Sequence, residues 1–333
     1  MKRQPKLEIS DNIIGESIAS KALCLEGTVS NVRKRNFITG LLFASPWVIG
    51  FLLLQLYPML SSFYHSFTRF NLMQSPVFIG FDNYVDLFSD RLFIIAVSNT
   101  IYMLLITMPI TLTAALGISL LLNKDKVKGM SLYRTIFYIP TVVPPVALSV
   151  LWFFILNPRV GFINAFLGFF GLPQPNWLSD PVFTKPSLIL IALWTMGNVI
   201  VIYLASLKEI PSTQIEAAKV DGAGSFAIFR NITLPWISPT ILYTLVVNTI
   251  FYLQYFTQAY VITSASGNIN DPSHFGGPMN SLNFYATYLY HTAFVSFRMG
   301  SASAMAVILL FAAAIMTIIL FKTSRKWVHY GGE

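Results

Sequence analysis

A single cysteine, Cys24, leaves this 333-residue chain without an intrachain disulfide or a Cys-rich metal site. Charge is scarce too. Only 11% of residues are Asp, Glu, Lys or Arg, against about 25% in soluble domains. The four histidines, His65, His274, His291 and His329, stand far apart with no ligand spacing among them, so no metal and no cofactor is expected. The pattern G-x-x-x-x-G-K-[ST] is missing, which removes the P-loop that cradles nucleotide phosphates. If ATP drives this protein, a separate chain hydrolyses it. The apolar segments hold no carboxylate, and no Lys, Arg or His away from their ends. Ion-coupled secondary transporters commonly keep ionisable groups there. An ordinary secretory signal peptide is also missing, since the first apolar run begins near residue 36 and is too long for an h-region.

What is abundant is apolar: 55% of the chain is hydrophobic, and it reads as an all-α polytopic membrane protein with six transmembrane helices. A polar tail, 1–36, ends in Arg33-Lys34-Arg35. The spans are expected at Phe37 to about Phe63, Leu92 to Leu122, Thr135 to Leu156, Pro186 to Leu207, Trp236 to about Ile262, and Ala302 to Phe321. Each comes close to or exceeds the ~20 residues that cross a bilayer. Pro109 lies inside the second. Pro140 and Pro144-Pro145 predict a kink or break near the start of the third. The connections read as an external loop at Arg69–Arg91, a short basic loop at Asn123–Arg134, a Pro/Gly/Asn-rich stretch at 157–185 and another loop at Gly267–Gly300. In the stretch at 157–185, the apolar piece Phe162–Phe170 is expected at the interface. The loop at Gly267–Gly300 carries Asn268, Asn270, Asp271 and Pro272. Six crossings put both termini on one side. That side holds 17 Lys/Arg and the other 5, of 22 in all. This is the positive-inside pattern. It explains the net charge of +8 as a topology signal and argues against nucleic acid as a partner.

Between the fourth and fifth spans lies the most charged short stretch of the second half. Thr213 and Glu216 have the spacing of a capping box, so a helix is expected from about 214. Gly222 and Gly224 stop it, Ser225 caps a second short helix, and Pro235 opens the next span. In the fifth span, Thr244, Asn248, Tyr252, Tyr255 and Ala259 follow helical spacing and share one face. Two readings of that strip stand: hydrogen-bonded packing between helices, or a sugar site of amides, hydroxyls and aromatic rings.

The blocks Glu216-Ala217-Ala218, Asp221-Gly222-Ala223 and Ile232-Thr233-Leu234-Pro235 resemble the EAA loop of type I ABC importer permeases. Gly80-Phe81-Asp82-Asn83-Tyr84 resembles the first external loop of the carbohydrate (maltose/glycerol-phosphate-type) group. One departure is Phe226-Ala227, where carbohydrate permeases often carry Trp-Gln. The resemblance implies the permease fold, with a core at 92–322, a first helix and external loop at 37–91, a coupling loop at 208–235 and a short tail at 323–333. It implies that Glu216, Ala217, Ala218, Asp221, Gly222, Leu234 and Pro235 dock on an ATPase: Glu216 on a basic residue, the alanines by permitting close approach, and Gly222 by setting the turn. Registering on the Leu-x-x-Leu-x-x-Ile-Pro run at 204–211 and on Pro235 implies substrate contacts at Trp194, Thr195, Asn198, Asn248, Tyr252 and Tyr255. Gln254 and Gln258 lie on a neighbouring face. The implied partners are a second permease subunit, two ATP-binding subunits, an extracytoplasmic solute-binding protein, a sugar and membrane lipid. The implied location is a bacterial or archaeal plasma membrane with both termini cytosolic. Three other readings stand beside this one. The first is an ion-coupled secondary transporter, and the second an importer permease for a non-sugar solute. The third is an enzyme of lipid-linked sugars using Asp82, Asp86 and Asp90.

Overall fold

The computed structural model describes residues 34–124, 129–265 and 276–329. Cys24, Lys126, Lys128, His274 and the run from Asn268 to Pro272 lie outside them. The chain divides into two units, 1–61 and 62–333. Most of helix α1, Lys34–His65, belongs to the first. At ~1.5 Å per residue its 32 residues exceed the ~30 Å hydrocarbon layer.

In the second unit a two-residue antiparallel pair, β1 (Thr68–Arg69) with β2 (Val77–Phe78), leads to α2 (Asp82–Ser89). Helix α3 runs unbroken from Arg91 to Leu122. The expected third span is two helices, α4 (Met130–Val142) and α5 (Pro145–Ile155), bent by 100°. The break falls at Val143–Pro144, midway along the segment rather than near its start, because the residue before each of two consecutive prolines is driven out of helical geometry. After α6 (Phe162–Phe169), the fourth span is also bent, by 46°, between α7 (Pro181–Trp194) and α8 (Gly197–Lys208). Helix α7 starts earlier than expected, so Lys185 lies within it, its ammonium 4.7 Å from the centre of the Tyr102 ring. Then come α9 (Ser212–Val220), α10 (Ser225–Ile228), α11 (Leu234–Leu253), α12 (Thr257–Ala265), α13 (Tyr285–Tyr290) and α14 (Met299–Ser324). Four helical stretches can cross a membrane, or six if each bent pair is one crossing.

Of the prolines that lie inside apolar helices without breaking them, three share one device. Pro58, Pro109 and Pro235 each follow a π turn: Leu52–Leu56, Met103–Thr107 and Phe229–Thr233. The residue just before each proline donates five residues back, as Met108 N–H does to the Met103 carbonyl. The carbonyl that the proline ring would strike, four residues upstream, lies inside the widened turn in every case. Pro235 therefore does not start a helix. The chain enters the membrane helically from Ser225.

The core centres on α3. Helix α8 packs on α3, α4 and α11, and α11 packs on α14. Gly197 permits the closest approach: a Cβ there would lie 1.9 Å from the Phe137 carbonyl oxygen of α4. The segment expected as a loop at 267–300 is, from Gly276 on, packed structure. Leu282, Phe284, Tyr285 and Tyr288 are buried, and Met279 and Asn280 hold left-handed φ of 49° and 60°. Asn99 binds this segment to α3, donating to the carbonyls of Asn280 and Asn283, both at 2.8 Å. Polar residues masked its burial in the sequence, because their partners lie on distant α3.

Candidate functional site

Two features stand out, a polar cleft and an exposed helical knob. The cleft, about 310 Å³, is walled by residues of α3, α4, α5, α7, α8, α11 and α12. Four of the six sequence-predicted substrate residues line it: Thr195, Asn198, Asn248 and Tyr252. Thr195 sits at the α7/α8 break, its hydroxyl turned back on the carbonyls of Ile191 and Ala192. Asn198 is exposed in the first turn of α8. Asn248 donates from Nδ2 to the Thr244 carbonyl at 2.8 Å, which leaves its Oδ1 as an acceptor. The Tyr252 hydroxyl lies 3.4 Å from that of Thr111.

Trp194 and Tyr255 lie outside the lining. Trp194 sets its ring edge-on against Trp152, centroids 5.7 Å apart. Tyr255 falls where the helix breaks between Leu253 and Thr257, so the single face expected through Ala259 ends at Tyr252. The Tyr255 ring is buried, stacked on Tyr252 at 6.2 Å and edge-on to Phe284. It backs the cleft wall instead of forming it. Thr244, named in the strip, both lines the cleft and bonds the Tyr203 hydroxyl at 2.8 Å. Helix packing and cleft lining thus use the same strip.

The sequence reading missed Thr111, Thr141 and Tyr243 in the lining, and ranked Gln258 low although it lines the cleft too. Thr111 lies two residues after Pro109, and the register there depends on the π turn. No charged side chain lines the cleft among the described residues. On its open side Tyr243, Val247 and Phe251, spaced by four along α11, are all exposed. They form an apolar ridge at the margin.

The knob is α9 with α10. Its turn is a Schellman motif: Ala223 N–H donates to the Ala218 carbonyl and Gly222 N–H to that of Lys219. Gly222, at φ 79°, takes the left-handed position. Gly224 does not, having φ −71°. The capping expectations fail here. The residue before α9 is Pro211, with no side-chain cap, and Gly224, not Ser225, precedes α10. Glu216 is therefore not engaged in a capping box. It is exposed, as are Ala217, Asp221 and Gly222, while Ala218 is half-buried. Leu234 is exposed and Pro235 half-buried at the base. Ile215, Ile232 and Trp236 root the knob on Leu207, Ile210 and Ile237. Val220 and Phe226 project from it, 87% and 74% exposed. Two large apolar side chains this exposed at the tip of a charged loop mark a contact surface.

At the end opposite the knob along α11, the Gly80–Tyr84 motif acts as a brace. Asn83 donates from Nδ2 to the carbonyls of Ser66 and Thr68, both at 2.9 Å, and accepts from Ser301 at the start of α14. Tyr84 donates to Ser66 Oγ. Gly300 N–H bonds the Phe70 carbonyl, and a Cβ on Gly300 would meet the Thr68 carbonyl oxygen at 2.1 Å. Asp90 caps α3 through Leu92 N–H and accepts from the Tyr288 hydroxyl. Burial, then the neighbouring Asp90, pushes the Tyr288 phenol well above its usual range, so it stays a donor. Asp90 is thus engaged structurally, and Asp82 and Asp86 are exposed on α2. The three do not converge on a reaction centre.

Residues 110–328 match the family described as the inner membrane component of binding-protein-dependent transport systems. A probable ABC transporter permease of Bacillus subtilis, YesP, is 40% identical over 90% of this chain and 94% of its own length. The lactose transport system permease LacF of Rhizobium radiobacter is 31% identical over 89% and 97% of the two chains. Among solved structures, a bacterial ABC transporter that imports the acidic polysaccharide alginate superposes with a TM-score of 0.71. It is 25% identical, covering 88% of this chain and 96% of that one. The knob, the bent spans and these matches agree: the chain is a multi-pass membrane protein of the binding-protein-dependent ABC importer permease family.

Proposed function

We propose that this chain is one of two permease halves of a type I ATP-driven importer, carrying a neutral sugar or short oligosaccharide. The observation that carries the reading is the cleft: hydroxyl, amide and aromatic groups converge there without a charge. Hydroxyls of a sugar find donors and acceptors at Thr195, Asn198 and Asn248, and its C–H faces find the ring of Tyr252. Tyr255 supports that ring from behind, and Trp194 with Trp152 braces the α7/α8 break. The lactose cargo named for one relative favours the same class. A second permease subunit would cover the exposed Tyr243–Val247–Phe251 ridge and close the cleft.

The knob is the proposed coupler. Glu216 and Asp221 offer charge to a basic surface of an ATP-binding subunit, Ala217 and Ala218 allow close approach, and Val220 and Phe226 insert. Gly222 fixes the turn, and Leu234 and Pro235 transmit motion into α11. Two ATP-binding subunits closing on ATP would drive the two knobs together and rock the spans between inward- and outward-open states. An extracytoplasmic binding protein would deliver sugar to the outward state. The 17-to-5 division of basic residues supports cytosolic termini and a cytosolic knob in a bacterial or archaeal plasma membrane.

The test is charge reversal on the knob in the assembled complex. Glu216→Lys is expected to weaken retention of the ATP-binding subunits by about ten-fold or more, as like charges meet in an interface. Gly222→Asp should keep the chain in the membrane but uncouple ATP hydrolysis from uptake. Uptake and ATPase retention unchanged in both variants would refute the coupling role.

A further inference from the structure

A second hollow lies at the elbow between α4 and α5, distinct from the cleft but sharing Val143 with it. It is a groove of about 600 Å³ whose walls include Tyr138, Ile139, Val142, Pro144 and, from α8, Val201. One charged residue lines it, Arg134, eight residues before Val142 on the same helix. The Arg134 Nε is buried and has no hydrogen-bond partner among the described residues. At ~1.5 Å per residue the groove runs about 12 Å from Arg134 to Val142, close to one leaflet of a ~30 Å hydrocarbon layer. A cation at one end and an apolar channel one leaflet long complement a phosphate on an acyl chain.

A guanidinium donates two parallel bonds to phosphate oxygens, which would satisfy the buried Nε. Arg134 closes the basic loop that begins at Lys124, on the basic side of the chain. This part of the argument rests on the orientation proposed above, which places Arg134 at the cytosolic leaflet, where anionic lipids attract basic residues. We propose that the groove holds one anionic phospholipid. Its phosphate lies on Arg134, and one acyl chain runs along Ile139 and Val142 to the Pro144 elbow, against Val201. The lipid then lies against the same elbow whose neighbouring residues wall the cleft, so it braces the bend on which the cleft's shape depends.

The test is lipid binding by the full chain, purified with its partner subunits, stripped in detergent and titrated while bound lipids are counted by native mass spectrometry. The probes are phosphatidylglycerol, phosphatidylcholine with the same chains, and glycerophosphoglycerol as the headgroup alone. One phosphatidylglycerol should bind about five-fold tighter than phosphatidylcholine, the preference one basic residue confers near anionic lipid. Arg134→Gln should remove the preference. Val142→Trp, at a position 68% exposed and therefore tolerant, should lower retention of both lipids by blocking the chain. The headgroup alone should not compete. Equal phosphatidylglycerol retention in wild type and Arg134→Gln overturns the proposal, and so does competition by the headgroup alone. Loss of the second permease from Arg134→Gln with lipid retention unchanged also overturns it, and makes the groove a subunit interface. The readout is bound lipid, not uptake, and reporter fusions at the termini check the orientation separately. Failure of the lipid site is therefore distinct from failure of the importer reading.

Discussion

Asn198 and Asn248 face the same cleft but in different states. The Asn248 amide already donates one N–H to the Thr244 carbonyl, so its oxygen and one N–H are left for a ligand. Asn198 is exposed and brings its whole amide. An uncompensated polar group facing a bound sugar costs about 1–3 kcal/mol, and the lower half of that range is roughly a ten-fold change in an apparent KM for uptake. Asn198→Ala is expected to raise that KM by about ten-fold with little change in protein level. Asn248→Ala should raise it less and also lower thermal stability, because it strips a helix-internal bond. The check is initial-rate uptake over a range of sugar concentrations, with melting followed on the same preparations. Equal KM values for wild type and Asn198→Ala would remove this residue from the binding surface. The residue types were legible in the sequence because a mid-span asparagine is costly unless partnered. The partner was not, since Asn248 bonds within its own turn. Tyr255 shows the limit of spacing as a guide: three residues after Tyr252, it should share a face, but the helix ends between them.

At the scale of elements, proline was the least readable signal. Pro144-Pro145 breaks a span by 100°, while Pro58, Pro109 and Pro235 sit in continuous helices behind π turns. Sequence marks the proline but not whether the turn before it widens, and Pro46, Pro140, Pro186 and Pro239 stay helical with no widened turn at all. The knob was the most readable, because its constraint is local: Gly222 occupies the left-handed position that glycine alone adopts freely. Its caps were misjudged, since Pro211 opens α9 without a side-chain bond. Bends in α4/α5 and α7/α8 bring α4 and α8 together at Gly197, and that contact yields a prediction about the fold. The Phe137 oxygen sits where a Cβ would go, and a backbone atom cannot rotate away. Gly197→Ala therefore forces α8 off α4 at about 1–3 kcal/mol, the range for overpacked cores. The expected result is a lower melting temperature of the purified complex. Gly117→Ala, with open space around its Cβ, is the matched substitution that should leave melting unchanged or raise it slightly, since alanine favours the helix. A Gly197→Ala melt equal to wild type would mean that the two helices are not in register as described.

Across the whole molecule, charge is partitioned. The six-crossing reading of the sequence puts most basic residues on one side, the knob carries exposed acids, and the cleft holds neither sign among the described residues. The first of these was visible in the sequence because it depends only on order along the chain. The last needed the fold, because the lining comes from seven helices, four of them the arms of the two bent pairs. An uncharged site in low dielectric discriminates strongly against ions, since a carboxylate entering it loses hydration worth several kcal/mol with no counter-charge to offset the loss. The alginate importer shares the fold but is involved in importing an acidic polysaccharide, so on the proposed neutral-sugar reading substrate charge is set by local residues and not by architecture. Placing a cation in this cleft should therefore shift selectivity while leaving coupling intact. Asn198→Arg, at an exposed cleft position in the first turn of α8, is expected to reduce uptake of the neutral sugar by about ten-fold or more. The same variant should raise the ratio of uronate-containing to neutral oligosaccharide transport, with a binding protein that accepts both. The ratio is read by competition between the two labelled sugars in proteoliposomes. ATPase stimulation by the binding protein is followed in parallel to show that the knob still works. A ratio that stays at the wild-type value while neutral uptake falls would mean that Asn198 acts on the shape of the pathway and not on the charge it admits.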